Sequence, residues 1–173
     1  MSNVRFIADL HFGHTNMAIK RGFTTVEEHD EYIIKQWNSV VNKRDTTYIL
    51  GDITMETSKP YPLLARLNGV KHVVLGNHDM PKDIAELSKY VVKISGMIKY
   101  KGIFLTHCPI HPMELDHRVN KNIHGHIHRN IVMKRQFEWG DEIDSIKDDR
   151  YIGVSCEQIN YTPKTLKELE IQR

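Results

Sequence analysis

The sequence predicts a mixed α/β (α+β) fold that carries its functional residues at strand ends. In the first half of the chain, short apolar runs alternate with helical segments, a rhythm typical of a parallel sheet. In the second half, short strands follow one another with turns between them. Three polar clusters come directly after an apolar run, which is the position at which α/β proteins build their sites.

Strands are predicted where a short run of β-branched and aromatic residues ends in a turn or a polar cluster. The dipeptide Lys101-Gly102 separates two such runs and predicts a tight hairpin. The predicted strands are 4–8, 46–50, 70–75, 91–94, 97–100, 103–106, 131–137 and 151–156.

One amphipathic helix is predicted over residues 26–41. Its apolar side chains recur at helical spacing, Trp37 is expected in the core, and Thr24 or Thr25 provides the N-cap. Two shorter helical turns are predicted, one that prolines open and one near the end of the chain. They are 60–67 and 166–170.

Two segments of the second half are predicted as loops. Residues 108–124 are rich in Pro, His and Asn, which is typical of a long functional loop with at most one helical turn. Residues 140–149 are acidic and are expected to face solvent. Among the isolated histidines, we expect His124 to be buried and His29 and His72 to occupy surface or helix positions.

Length and composition predict a single domain over residues 1–173. The hydrophobic fraction of 40% and the charged fraction of 27% are ordinary for a globular protein. The formal net charge of +2 is too small to argue for a nucleic-acid partner on electrostatics alone. No apolar run approaches the roughly 18 residues of a membrane span. We therefore expect neither a membrane partner nor strong binding of nucleic acid.

The N-terminus and the cysteines predict a cytoplasmic protein. The first strand begins at residue 4 and leads to Asp9, so cleavage of a leader of roughly 15–30 residues would remove both. Cys108 and Cys156 lack CxxC spacing and are expected to be free thiols in a reducing compartment. Because Cys108 follows His107, a metal role is the alternative to the favoured interpretation of a small buried residue.

Five short polar clusters consist of side chains that bind divalent metals. In the first and the last of them two ligands stand two residues apart, so on an extended segment both side chains leave the same face. The carboxylate of Asp52 can give one oxygen to each of two metals, and Asn77 supplies a neutral carbonyl oxygen. Mixed carboxylate, amide and imidazole ligands suit Mn²⁺, Fe or Zn²⁺. The clusters are Asp9-Leu10-His11, Gly51-Asp52, Gly76-Asn77-His78-Asp79, Thr106-His107 and Gly125-His126-Ile127-His128.

Two metals that share a carboxylate predict hydrolysis at phosphorus. Ions about 3.5–4 Å apart lower the pKa of a bridging water and hold both ends of an in-line displacement. His78 is the residue left for proton transfer, and its neighbour Asp79 can hold one ring nitrogen. This pair would protonate the leaving oxygen or stabilise the transition state, an effect typically worth about 10²–10⁴-fold.

The five clusters, in this order, resemble the calcineurin-like metallophosphoesterase superfamily, whose pattern is D-x-H, G-D, G-N-H-[DE], H and G-H-x-H. The resemblance runs from Asp9 to His128, and residues 157–163 look like the closing segment of its small single-domain bacterial and phage members. Every ligand position of the pattern is filled here, whereas the cap domains of larger members are missing from the sequence. The resemblance implies a β-sandwich of mixed sheets flanked by helices, with the metal site at the strand ends.

The same resemblance implies ligands, metals and an activity. Manganese is the expected metal, with iron, zinc and nickel as alternatives. The implied activity is that of a phosphodiesterase or phosphatase, which hydrolyses a nucleotide-like or other small phosphoester through a hydroxide bridging two metals. His78 would be the catalytic histidine. One metal would take Asp9, His11, Asp52 and His128, and the other Asp52, Asn77, His107 and His126.

Two loops are predicted to contact the substrate. His14 and Asn16 extend the first cluster, as in small members of the superfamily, and we expect them to touch the substrate phosphate, with simple loop hydrogen bonding as the alternative. His111, His117 and Arg118 follow the fourth cluster and could bind an anionic substrate.

Two other functions stay open at this point. A nuclease would use the same chemistry, and the superfamily includes DNA-repair nucleases, but the near-neutral charge and the lack of a basic stripe argue against it. A non-catalytic scaffold of the same fold is the second alternative. Such proteins usually lose a ligand or the catalytic histidine, whereas His78 and every ligand are present here.

Overall fold

Ten strands and three α-helices form the part of the chain that the computed structural model describes, which is residues 2–55, 57, 60–115, 119–138 and 141–171. The strands are β1 (Val4–Ile7), β2 (Thr46–Leu50), β3 (Val70–Val74), β4 (Lys93–Ser95), β5 (Ile98–Tyr100), β6 (Ile103–Leu105), β7 (Lys121–His124), β8 (Met133–Glu138), β9 (Asp141–Lys147) and β10 (Tyr151–Gly153). The α-helices are α1 (Thr15–Lys20), α2 (Val26–Val40) and α3 (Ile84–Leu87), and 3-10 helices span Tyr61–Arg66, Pro81–Asp83 and Pro112–Leu115.

Two four-stranded sheets face each other across one hydrophobic core. The first is parallel throughout, in the order β1-β2-β3-β4, and the second is mixed, in the order β10-β7-β6-β5. Phe6 of β1 stacks on Tyr48 of β2 at 5.7 Å between ring centroids, and Tyr100 of the second sheet lies 5.8 Å from Phe6. The predicted fold class, a sandwich of mixed sheets flanked by helices, is confirmed.

The helix α2 begins and packs as its sequence predicts. Thr25 is the N-cap, because its side chain accepts a hydrogen bond from the Glu28 backbone N–H at 3.1 Å. The Glu28 carboxylate accepts in turn from the Thr24 N–H at 2.9 Å. Trp37 is fully buried and donates its indole N–H to the Asn68 carbonyl at 2.9 Å. This bond ties α2 to the segment that leads into β3.

Two predicted loops contain strands. The segment 108–124 ends in β7, which lies inside the second sheet although Ile123 is its one apolar residue. Its buried Asn122 amide donates to the Phe104 carbonyl at 3.1 Å and to the Thr106 hydroxyl at 2.9 Å. Such long-range bonds replace the apolar alternation by which a strand is recognised in sequence.

The segment 140–149, which was also predicted as a loop, contains β9. This strand pairs antiparallel with β8 to form a two-stranded ribbon, in which most described side chains are exposed. Because the described side chains of this ribbon are mostly exposed, the acidic composition of β9 carries no strand signal. The other predicted strands are found with small shifts of their ends. The predicted helical turn 60–67 is a 3-10 helix, and 166–170 is a hydrogen-bonded turn. The helices α1 and α3 were not predicted.

The hairpin between β5 and β6 is confirmed at the predicted dipeptide. Lys101 and Gly102 both have positive φ, 50° and 77°, which is the backbone geometry that a two-residue turn of this kind requires. Among the described residues, every helix falls short of the length and apolarity needed to cross a membrane.

Candidate metal centre

The seven residues predicted as metal ligands lie together at one edge of the sandwich. Each follows the carboxyl end of a strand, namely β1, β2, β3, β6 or β7. Because these strands run parallel within each sheet, their carboxyl ends meet at the same edge. The ligand-bearing residues are Asp9, His11, Asp52, Asn77, His107, His126 and His128.

The first group within the cluster is enclosed. Asp9, His11 and His128 each offer a ligand atom, and these three atoms lie within 4.8 Å of one another. The His11 side chain is 1% exposed, and neither of its ring nitrogens has a hydrogen-bond partner among the described residues. A buried imidazole left in this way costs free energy unless something binds its lone pair. Burial also lowers the pKa of His11 to about 3, so that its ring is neutral and able to bind a cation.

The carboxylate of Asp9 is held by backbone and by burial. Both of its oxygens accept from the His126 N–H, at 3.0 and 3.1 Å, and burial raises the Asp9 pKa to about 6. Gly125 makes this approach possible, since a Cβ atom there would lie 2.7 Å from a carboxylate oxygen of Asp9.

Asp52 lies at the centre of the cluster. Its Oδ1 accepts from the His78 backbone N–H at 3.0 Å. Its Oδ2 lies 3.3 Å from His107 Nε2, 3.9 Å from His78 Nε2 and 4.0 Å from His11 Nε2. Although burial opposes it, the hydrogen bond and charge of His107 keep the pKa of Asp52 below its ordinary value. One carboxylate oxygen thus faces imidazoles from both sides of the cluster.

The second group is open to solvent on one side. His107 Nδ1 lies 2.8 Å from the Leu50 carbonyl, to which it donates, so that in the neutral ring Nε2 carries the lone pair. This Nε2 lies 2.9 Å from Asn77 Oδ1 and 3.2 Å from His126 Nδ1. Asn77 and His126 are exposed, whereas His107 is buried. We call Asp9, His11 and His128 the enclosed half, and Asn77, His107 and His126 the open half.

Cys108 borders the open half. Its thiol lies within 4.8 Å of the ligand atoms of His107 and His126, so a metal role stays an alternative. The expected burial of Cys108 is wrong, because the residue is exposed. Cys156 is buried, and both cysteines are free thiols as predicted.

Backbone strain is concentrated in this cluster. Five of the seven candidate ligands have a positive φ, a conformation that is uncommon outside glycine and that recurs at functional sites. This backbone turns the side chains of neighbouring loops towards one point. The five are Asp9 (58°), His11 (50°), Asp52 (52°), His126 (71°) and His128 (51°).

Asp79 supports the loops that carry two of the candidate ligands. Its carboxylate accepts from the backbone N–H groups of Asp52 at 2.9 Å, Ile53 at 3.1 Å and Gly76 at 2.8 Å. Both oxygens are therefore used to hold two ligand-bearing loops against each other, whereas we predicted that Asp79 would hold the ring of His78. Asp79 is thus a positioning residue, while its catalytic role together with His78 stays a prediction.

The predicted substrate residues divide into three groups. The ring of His14 lies 5.5 Å from that of His11, which places it beside the enclosed half. Asn16 is exposed on α1, and His111 is exposed with its Nδ1 accepting from the Met113 N–H at 3.3 Å. His117 and Arg118 lie outside the described residues.

A buried charged group behind the enclosed half was not predicted. Arg21 Nε donates to Glu157 Oε1 at 2.8 Å, and the same oxygen accepts from His128 Nδ1 at 3.1 Å. Although burial opposes it, the hydrogen bond from His128 and the charge of Arg21 hold the pKa of Glu157 at about 2. The sequence contains no local signal for this group, because 136 residues separate the arginine from the glutamate.

His29, predicted at a surface or helix position, lies on α2 and is fully buried. Its Nδ1 lies 2.8 Å from Asp30 Oδ1, and its Nε2 lies 2.8 Å from Arg21 Nη1. The polar partners that allow its burial come from a neighbouring residue and from the end of α1, so hydropathy alone does not reveal it.

The chain has relatives in an archaeon and in phages. It is 35% identical to the uncharacterized protein MJ1445 of Methanocaldococcus jannaschii over 176 residues, covering 96% of this chain and 88% of that protein. It is 44% identical over 86 residues to the gene 66 protein of Mycobacterium phage L5, covering 47% of this chain and 42% of the phage protein. Its match to the gene 66 protein of Mycobacterium phage D29 is 36% identical over 97 residues and covers 51% of this chain and 48% of that protein.

A solved structure shares the fold. The protein of unknown function AQ665 from Aquifex aeolicus superposes with a TM-score of 0.68 at 25% sequence identity, over 98% of both chains. No protein-family model matches the chain. The names of these relatives state no activity, so a function has to be argued from the site.

Proposed function

The chain belongs to the same family as MJ1445 of Methanocaldococcus jannaschii, and we propose that it is a metal-dependent phosphoric ester hydrolase acting on a nucleotide-like or other small phosphoester. The observation that carries this proposal is the position of Asp52, whose Oδ2 faces the ring nitrogens of His11, His107 and His78. A carboxylate in that position can serve two cations at once.

The donor set fits two divalent ions. The enclosed half offers a carboxylate and two imidazoles, and the open half offers an amide oxygen and two imidazoles, a mixture that suits manganese, with iron, zinc or nickel as alternatives. The ring nitrogens of the buried His11, which have no hydrogen-bond partner among the described residues, support the same fit. Two such ions would supply a water of lowered pKa and neutralise charge on a phosphoryl group.

The residues of the chain itself have three tasks in this proposal. Asp79 and Gly125 keep the ligand-bearing loops in position. His78 is partly exposed at the side of Asp52, where a substrate can reach it, and it delivers a proton to the leaving oxygen. His14, beside His11, lies where it can donate a hydrogen bond to the phosphate.

We also place the protein in the cytoplasm. Two free cysteines, one of them exposed, are typical of a reducing compartment. The net charge of +2 favours a small anionic substrate over a long nucleic acid, because extended phosphate backbones are usually met by many positive charges.

The test is a hydrolysis panel with Mn²⁺ and the purified protein. Aryl phosphodiesters and monoesters, cyclic nucleotides, dinucleotides and single-stranded DNA are compared, each with and without chelator. We expect metal-dependent hydrolysis of at least one small ester, abolished in Asp52→Asn and retained in Asp149→Asn, whose side chain is 87% exposed. Hydrolysis of DNA alone would favour a nuclease, and no metal-dependent hydrolysis of any substrate would overturn the proposal.

A further inference from the structure

We propose that Arg21 and Glu157 are positioning residues that pre-organise the enclosed half of the metal centre, by fixing the loop of Asp9 and His11 and the ring of His128 together. This inference rests on the proposed function, since it concerns residues proposed there as metal ligands. Both side chains are almost fully buried, Arg21 at 1% and Glu157 at 5% exposure. We call the pair the brace.

Arg21 holds the backbone of the first cluster. Its Nη2 donates to the Asp9 carbonyl at 2.7 Å, and its Nη1 donates to the Leu10 carbonyl at 3.1 Å. The φ angles of Asp9 and His11 are 58° and 50°, a conformation that L-residues adopt only under constraint. A planar guanidinium with several donors at fixed angles can supply that constraint, whereas a single ammonium could not reach both carbonyls and a carboxylate.

Glu157 holds the ring of His128. Its Oε1 is a pure acceptor when ionised, so His128 donates from Nδ1 at 3.1 Å and keeps its Nε2 lone pair free. A carboxylate that fixes the tautomer and the orientation of a histidine in this way is a recurring support for metal ligands. The same oxygen accepts from Arg21 Nε at 2.8 Å, so one atom links the two loops.

The brace is itself anchored in α2. Arg21 Nη1 can only donate, so His29 Nε2 accepts from it at 2.8 Å and the ring proton lies on Nδ1. That proton is donated to Asp30 Oδ1 at 2.8 Å, and Asp30 Oδ2 accepts from the Gly13 N–H at 2.9 Å. These hydrogen bonds therefore connect Asp9 and Gly13, at the two ends of the first loop, through Arg21 and α2.

The brace acts on one half of the centre. Its contacts reach Asp9, Leu10 and His128. In the open half, the contact that fixes the His107 ring is with a backbone carbonyl, that of Leu50. A change in the brace should therefore weaken one ion and spare the other, which loss of general stability would not do.

The decisive variant is Glu157→Gln, which keeps the size of the side chain and removes its charge. Calorimetric titration with Mn²⁺ alone should find two sites in the wild type. In the variant, one site should be about 10–100-fold weaker and the other unchanged, the usual cost of losing an outer hydrogen-bond partner of a ligand. Arg21→Lys should give the same asymmetric loss. The control is Glu168→Gln, which breaks the Arg5–Glu168 ion pair, whose glutamate is 44% exposed.

A second measurement needs no metal. Nitrogen-15 spectra of the histidine rings, recorded with chelator at a pH of about 9, where an ordinary histidine is neutral, should show His128 protonated on Nδ1. The signals are assigned by their loss in His128→Gln. The Nδ1 tautomer should be lost in Glu157→Leu, whose side chain offers no acceptor, and kept in Glu168→Gln.

The outcomes separate the two proposals. Absence of Mn²⁺ binding in the wild type would overturn the proposed function, while the ring spectra would still decide the position of the His128 proton. Equal weakening of both sites in Glu157→Gln, unchanged affinity at both, or an Nε2-protonated His128 in the wild type would overturn the brace.

Discussion

The two halves of the candidate metal centre each combine two imidazoles with one oxygen donor, but they are held in different ways. In the enclosed half, Asp9 and His11 are buried, and His128 is fixed by a buried glutamate. In the open half, Asn77 and His126 are exposed. The difference shows that the type of ligand does not determine how rigidly the ligands are held before an ion binds. Burial and hydrogen bonds from surrounding residues to the ligands determine it.

The two halves on either side of Asp52 are also expected to differ in how they exchange ions and in how they meet the substrate. Two of the three ligands of the enclosed half, Asp9 and His11, are buried, and the third, His128, is 31% exposed, so we expect its ion to bind first and exchange slowly. The open half lies on the solvent side together with His78, whose side chain is 28% exposed. We therefore expect a substrate to approach the centre from the open half.

Removing the residue that the halves share should have the largest effect. Asp52→Asn keeps the shape of the side chain but loses the negative charge that faces both halves, so both ions should be lost. Hydrolysis should fall by at least about a thousandfold, since each ion is worth several kcal/mol of transition-state stabilisation. Metal analysis after gel filtration measures the ions, with Asp149→Asn as control. Retention of both ions would refute the shared role of Asp52.

Removing the proposed proton donor should leave both halves intact. In His78→Ala both ions should be retained, because the side chain is not among the ligands of either half. Turnover of an aryl phosphodiester with Mn²⁺ should nevertheless drop at least about a hundredfold. Near-normal turnover would show that another group supplies the proton, and His72→Ala, on the neighbouring β3, serves as a control for loss of a histidine.

A matched pair of variants compares the halves directly. His11→Ala should eliminate the ion of the enclosed half, because it removes a buried ligand whose ring nitrogens have no other described partner. Asn77→Ala should leave both ions bound, one of them more weakly, because the exposed amide can be replaced by water. Titration with Mn²⁺ measures both. Equal losses in the two variants would mean that the halves do not differ in this respect.

The smallest effect concerns the stability of the metal-free protein at acid pH. The pKa of Glu157 is about 2 in the folded chain against an ordinary value of 4.5, so its ionisation stabilises the fold. This contribution is fully present above pH 4.5 and disappears as the pH falls towards 2. The difference in unfolding free energy between wild type and Glu157→Gln, measured in urea with chelator, should shrink over that range. A difference that stays constant with pH would contradict it.

The glutamate in the control ion pair should behave differently. Although burial opposes it, the hydrogen bonds from Thr165 and the charge of Arg5 also lower the pKa of Glu168, but that side chain is 44% exposed and solvent screens the pair. Glu168→Gln should therefore change stability less than Glu157→Gln at neutral pH. A larger effect of Glu168→Gln would show that the enclosed half gains no special stability from its glutamate.

Much of the fold could be predicted because its signals are local. The sequence runs that form β1, β2 and β3 are short, apolar and bounded by turns. The N-cap of α2 involves only four consecutive residues, Thr25 to Glu28. β7 and β9 could not be predicted in the same way. β7 is held by long-range hydrogen bonds of Asn122, and β9 lies in a ribbon whose described side chains are mostly exposed.

The sequence by itself determined which residues could serve as ligands, because the polar clusters stand directly after strands and parallel strands align their ends. The tertiary structure alone decided how these ligands divide into an enclosed and an open half, and that Asp79 supports loops. It also brought Arg21 to Glu157 across 136 residues of chain. The physical reason is that burial and outer hydrogen bonds depend on segments far apart in sequence, for which no spacing rule exists.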